Sequence, residues 1–209
     1  MIVRNAAAMK RHAWAFPFEL VMAVSLLVFA WAGQYGNAGI TLFLLAACLA
    51  LPIIEHLSRV RLAPLLHVSY VGFLFASLFA GEVLGMYSVI PAWDDGLHFA
   101  SGLLTGLGGI VWLITLVDRR VLKAPAWLLT GMVIALGGLV AVVWELIEFI
   151  SDQWLGTFMQ RNDLFDTMTD FAYGMLGALI MAGLFSRYLQ RRRSWGIGRV
   201  IAWQRRANN

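Results

Sequence analysis

Six apolar runs, joined by connections too short to hold a soluble domain, constrain this chain more than anything else in it. They lie at about 18–33, 38–54, 65–86, 94–116, 127–150 and 164–188. An α-helix rises about 1.5 Å per residue and a bilayer's hydrocarbon core is about 30 Å thick, so runs of this order cross it. Lipid offers no partners to a bare backbone, so such segments must be helices that satisfy their own N–H and C=O groups. The pattern predicts an all-α polytopic membrane protein: a six-transmembrane-helix bundle, one integral membrane domain over 1–209 with a basic tail at 189–209. Only 13% of the residues are charged, about half the share of a soluble domain.

The basic lead Arg4, Lys10, Arg11 and the run ending Ala30-Trp31-Ala32 also fit a cleavable signal peptide. Residues Gly33–Asn37 lead almost at once into the next run, which favours a retained first span. The single Cys48 excludes an intramolecular disulfide framework. A net charge of +4 is no argument for nucleic acid, because the charges follow the membrane topology and no nucleic-acid-binding signature accompanies them.

Of 16 Lys and Arg residues, all but Arg161 fall on one side if the first span begins inside, which is what the positive-inside rule asks for. Both termini are therefore expected in the cytoplasm. The tail after Arg191 mixes arginines with Trp195, Ile197, Val200, Ile201 and Trp203. It suits either an interfacial helix on an anionic leaflet or a frayed terminus, and Gly196 and Gly198 favour fraying.

The acids divide the opposite way, and this is a separate signal. Glu145, Glu148 and Asp152 stand at i, i+3, i+7; Asp166 and Asp170 at i, i+4; Asp94, Asp95 and His98 open an earlier run. Each set shares a helix face, and all lie toward the outer edge. Acids in lipid-spanning segments are costly and mark a pathway or a site. Milder readings exist for each: Asp94 or Asp95 as a helix N-cap, His98 as a packed histidine, Asp152 as an interfacial acid, Glu145 and Glu148 protonated or bonded to neighbours, Asn162 or Asp163 as the cap of the last span. Small residues Gly102, Gly106, Gly137, Gly138, Gly174, Gly177 and Ala178 permit close helix approach, so the three acidic blocks are expected to converge.

Converged, these carboxylates would face only His98 and Arg161 as counter-charges. Like charges 4 Å apart repel by about 4 kcal/mol at an effective dielectric near 20, so the group shares protons or holds a cation. Many oxygens with one imidazole suit Mg²⁺, Mn²⁺ or Ca²⁺ better than Zn²⁺. The expected ligands are Asp94, Asp95, His98, Glu148, Asp152, Asp166 and Asp170, with Glu145 as general base and Arg161 as a phosphate clamp.

The blocks WDDGLHFASG, WELIEFISD and DTMTDFAYGMLGA resemble the signature of the YjdF-like family of bacterial inner-membrane proteins, and more distantly that of the VanZ-like family, linked to glycopeptide-antibiotic resistance. The resemblance covers about residues 85–180. It implies a multi-pass protein of the bacterial inner membrane, with functional residues at Asp94, Asp95, His98, Glu145, Glu148, Asp152, Asp166 and Asp170. Gly174 stands where both families have Asn. Three functions fit: a metal-dependent hydrolase or transferase acting on a lipid-linked or cell-envelope substrate among the membrane lipids, a non-catalytic scaffold or assembly factor with a structural ion, and a cation or proton carrier. The carrier needs acids on both sides of the barrier, and the inner half offers little beyond Glu55 and His67.

Overall fold

The computed structural model describes residues 15–157, 159–160, 163–191 and 196–208, and the regular elements among them are all helical. Five helical stretches are long and apolar enough to cross a membrane: Tyr35–Ser58, Pro64–Val83, Trp93–Asp118, Ala126–Trp154 and Leu164–Arg191; Phe16–Trp31 is a shorter apolar helix. At about 1.5 Å per residue its 16 residues reach about 24 Å, short of the roughly 30 Å core. Two compact units divide between Trp93 and Asp94.

In the first unit, α1 (Phe16–Trp31) opens with Pro17 in its first turn, where the missing N–H costs nothing. Helices α2 (Tyr35–Ala47) and α3 (Ala50–Ser58) make one span with a break at Cys48–Leu49. Helix α4 (Pro64–Leu74) runs on into a π-helical segment, Phe75–Val83. There Leu84 N–H reaches the Phe79 carbonyl at 2.9 Å, and Trp93 Nε1 donates to the Ala76 carbonyl at 3.2 Å. The span expected to reach residue 86 stops at Val83, because Gly85 takes a left-handed φ of 76° that ends helical propagation. A short α5 (Met86–Val89) follows. The core is large side chains: Met22, Leu44, Val71 and Phe79 are buried, and Phe75 stacks between Phe18 and Phe79 with ring centroids 5.2 and 5.0 Å away.

The second unit holds α6 (Trp93–Asp118), α7 (Ala126–Leu155), α8 (Leu164–Arg191) and α9 (Ile197–Asn208). Its long helices touch backbone to backbone. A Cβ added to Gly102 would overlap the Gly174 carbonyl, one on Gly177 would overlap the Phe99 carbonyl, and one on Gly137 would overlap Ala178 Cβ. Small residues are what let helices meet this closely. The face away from these contacts is apolar and exposed, with Leu139, Ile147 and Ile150 on α7 and Leu176 and Ile180 on α8. Helix α7 runs to Leu155, further than the expected 150, and ends at Gly156 with φ 68°.

The described part of the tail, Ile197–Asn208, is helical and not frayed. Helix α9 buries Ile197, Val200, Ile201 and Gln204, an i, i+3, i+4, i+7 stripe. Arg205 grips Asp118 with two bonds, Nε to Oδ2 at 2.9 Å and Nη2 to Oδ1 at 3.0 Å. Those bonds raise the Arg205 pKa further above its ordinary value. The two glycines do little harm because Gly196 precedes the helix and Gly198 lies in its first turn, where N–H groups lack helical partners anyway.

Candidate metal centre

Helix α6 begins at Trp93, so Asp94 and Asp95 sit inside its first turn rather than at the N-cap. That places His98 one turn beyond Asp94, at i+4, with its ring between three helices. His98 Nε2 lies 3.6 Å from Asp94 Oδ1 and 3.8 Å from Asp170 Oδ2 on α8; Nδ1 lies 3.8 Å from Glu145 Oε1 on α7. His98, Glu145, Glu148 and Asp170 are all buried, Asp170 at 2% exposure. This inverts the pattern of the helices' apolar flanks, where leucine and isoleucine face outward.

The backbone contacts explain why these side chains meet. Gly102 stands one turn beyond His98 on α6, and Gly174 one turn beyond Asp170 on α8. Their close approach brings the two preceding turns together and leaves His98 and Asp170 side by side. Gly174, where the family resemblance led to an expectation of Asn, has the His98 carbonyl 3.7 Å from the Cβ position and Ala141 Cβ at 3.3 Å. An asparagine there would have to fill that contact.

Among the described residues, Asp94, His98 and Asp170 each offer a ligand atom within 4.8 Å of the others. Glu145 Oε1 and Asp170 Oδ1 are buried without a hydrogen-bond partner, and buried polar atoms are rarely left so. Two carboxylates and one imidazole with spare oxygens form a donor set that fits a divalent cation, oxygen-rich as Mg²⁺, Mn²⁺ or Ca²⁺ prefer. The arrangement also matches metal-bound histidine generally, where the ring nitrogen away from the ion faces a carboxylate; here that carboxylate is Glu145.

The other expected site residues are placed differently. Glu148 is buried and accepts a bond from Trp144 Nε1 at 2.8 Å. Asp95 is half-buried beside Asp94, and Asp166 is half-buried one turn before Asp170; neither belongs to the three-residue group. The Asp152 carboxylate takes donors from the following loop: Thr157 Oγ1 at 2.6 Å, Met159 N at 2.8 Å and Gln160 N at 2.9 Å. Asp163 accepts from Phe165 N at 2.8 Å and so caps α8. Arg161 and Asn162 lie outside the described residues.

Gln160 is a site residue that sequence reasoning missed. Its Nε2 donates to the Glu145 carbonyl at 3.1 Å and to Glu145 Oε2 at 3.2 Å. Asp152 folds the loop back, the loop delivers Gln160, and Gln160 fixes one oxygen of Glu145. Trp144 was missed too, although its i, i+4 spacing from Glu148 was visible.

The family model described as "Predicted membrane protein (DUF2238)" matches residues 16–191. The chain belongs to this family. The match contains every member of the Asp94–His98–Asp170 group and Glu145. An uncharacterized protein of Thermotoga maritima is 32% identical over 116 residues, 55% of this chain and 58% of the relative. The chain thus spans less than two thirds of that relative's length. No solved structure matches.

Proposed function

We propose that this is a six-span protein of the bacterial inner membrane, a single integral domain with both termini cytoplasmic, whose acid–histidine cluster holds a divalent cation at the periplasmic end. The observation that carries the metal is the juxtaposition of His98 Nε2 with Asp94 and Asp170, beside a buried Asp170 oxygen that makes no hydrogen bond. The Lys and Arg distribution supports the orientation. Membership in the matched family supports the narrower YjdF-like assignment; the VanZ-like likeness rests on the spacing of the acidic blocks alone.

The activity we infer is a hydrolase or transferase step on a lipid-linked or cell-envelope substrate. A bound divalent ion would supply an activated water or polarise a phosphoryl or carbonyl oxygen. Asp94, His98 and Asp170 would hold it, with Asp95, Asp166, Glu148 and Asp152 as surrounding negative charge. Glu145, with Oε2 held by Gln160 and Oε1 3.8 Å from His98 Nδ1, would serve as general base. Arg161 would clamp a phosphate.

Metal analysis of the purified protein tests this, wild type beside Asp170→Asn and an Asp166→Asn, Asp170→Asn pair. Stoichiometric Mg²⁺, Mn²⁺ or Ca²⁺ in the wild type and its loss in Asp170→Asn are expected. No bound ion in a folded wild type would sink the metal. A retained ion with full cellular function in Glu145→Gln would instead leave a structural ion in a scaffold.

A further inference from the structure

Among the described residues, the left-handed backbone positions divide by side of the membrane. Gly33, Gly85 and Gly156 take φ of 71°, 76° and 68°, whereas Arg59 and Arg120 take 55° and 58°. The glycines follow helix ends on the outer side of the proposed topology, and the arginines follow ends on the inner side. A Cβ is strained in that backbone region and glycine is not. An arginine is held at each inner turn against the backbone's own preference, so its charge must offset the strain. The negative end of the helix dipole attracts a cation there, but that attraction asks nothing of the residues around it.

In the second unit those residues form a pattern of their own. Arg120 lies in the connection 119–125 between α6 and α7. Its N–H returns to the Val117 carbonyl at 3.0 Å, and Val121 N–H returns to the Leu116 carbonyl at 2.9 Å. This paired closure is a Schellman cap, and it holds the loop down against the last turn of a helix of membrane-crossing length. The residue after the left-handed one usually packs back on such a helix. Here it is Val121, which is 72% exposed, and Trp127 in the first turn of α7 is 74% exposed. Arg119, Arg120 and Lys123 are exposed around them. Apolar side chains turned outward among cations, where two spans leave the hydrocarbon, match the layering of a phospholipid interface.

The chain itself does little to neutralise this loop. The carboxylate beside it in sequence is Asp118, and Arg205 takes both of its oxygens. The other described acids of the second unit stand at the opposite ends of its long helices, from Asp94 on α6 to Asp152 on α7 and Asp170 on α8. The loop is left with an excess of positive charge that a phosphate would balance, and the planar fork of arginine fits phosphate oxygens.

We propose that the α6–α7 connection seats the head group of an anionic phospholipid, with Arg119, Arg120 and Lys123 around its phosphate and Val121 and Trp127 against its glycerol and upper chains. The site is separate from the acid–histidine cluster and does not depend on an ion being bound there.

The test uses the full-length protein in a non-ionic detergent, titrated with phosphatidylglycerol or phosphatidylcholine of matched acyl chains. Retained lipid is counted by native mass spectrometry. Phosphatidylglycerol should be retained at least about ten-fold over phosphatidylcholine, since each cation near a phosphate surface is worth about five-fold. The preference should shrink at high salt. Arg120→Gly removes one charge and gives the turn the residue it prefers, so the fold is kept while the preference drops about five-fold. Combining it with Arg119→Gln and Lys123→Gln should erase the preference. Arg191→Gln, exposed in the last turn of α8 and away from the loop, should leave it nearly unchanged. Soluble glycerol phosphate in excess should not displace the lipid, because it brings no chains to Val121 and Trp127. Equal retention of the two lipids by the wild type, a preference intact in the combined variant, an equal drop in Arg191→Gln, or displacement by glycerol phosphate overturns the proposal. So does an Arg120→Gly variant that unfolds earlier without lipid yet keeps the full preference, since Arg120 would then serve the helix end alone.

Discussion

The two units solve the same packing problem in opposite ways. The first fills its interior with bulk, Phe18, Phe75 and Phe79 in ring contact over Met22 and Leu44. The second removes bulk and lets glycines bring backbones together. Each also buries a histidine near a carboxylate. In the first, His67 Nε2 lies 3.7 Å from Glu55 Oε2, but Glu55 Oε1 is already taken by the Leu62 backbone N–H, so this acid serves the α3–α4 turn. In the second, His98 faces three carboxylates, and Asp170 keeps a buried oxygen that makes no hydrogen bond. Side-chain filling makes a stable contact wherever shapes agree, whereas glycine contacts fix how far each turn stands from its neighbour. That distance is what a multi-helix site needs.

If the contrast is real, the two interiors should fail differently. Phe79→Ala opens a cavity in the first core and should cost about 3–5 kcal/mol, read as earlier unfolding in a denaturing-detergent titration, with bound metal per folded molecule unchanged. Gly177→Ala adds one methyl group against the Phe99 carbonyl and the Leu103 amide. It should cost about 1–3 kcal/mol and should also loosen metal retention, since α6 and α8 carry the ligands. The matched control is Gly72→Ala, whose added carbon meets only the Phe18 ring at 3.9 Å; it should be neutral or stabilising by up to about 1 kcal/mol. Equal losses from the two glycine changes would erase the distinction.

What could be read beforehand follows the same division. The apolar runs, the acidic faces and the small residues are all local patterns, and helical spacing alone put Asp94 with His98 and Glu145 with Glu148. Which acids would reach His98 depended on the register between helices, and the contacts at Gly102 and Gly177 set that. Asp170 therefore joins the group while Asp166, one turn outward, does not. Asp152 looked like a ligand because of its i, i+7 spacing from Glu145 and its place in the WELIEFISD block that carries the family resemblance. The loop that occupies it has no periodicity to read. Gln160 was hidden for the same reason. The π-helical segment leaves no mark in composition, and α9 was obscured by glycines whose cost depends on where in a helix they fall.

Gln160 gives a sharper and smaller test of the second unit. Gln160→Ala removes both bonds to Glu145 without touching the three ligand residues. Positioning groups of this kind change metal affinity by about 10–100-fold, while the net worth of such hydrogen bonds to stability is about 1 kcal/mol. Metal affinity by calorimetry should drop and the unfolding midpoint should barely move. Thr157→Ala, which removes one of the donors to Asp152, should produce the same direction more weakly, because two backbone donors remain.

The smallest effect belongs to the end of the second unit away from the site. Arg205 and Asp118 are about one-third exposed, and an exposed pair, even a two-bonded one, is worth about 0.5–1 kcal/mol. Arg205→Gln should lower stability by that amount at low salt and by less at high salt, where the charges are screened. Since the bonds to Asp118 raise the Arg205 pKa above an already high ordinary value, its contribution is fully present below that ordinary value and is lost only as pH climbs through the raised one. Wild type and variant should therefore keep a constant gap from neutral to mildly alkaline pH, with metal content identical in both. A gap that closed over that range, or a loss of metal in the variant, would mean that α9 supports the cluster and does more than cover the end of α6.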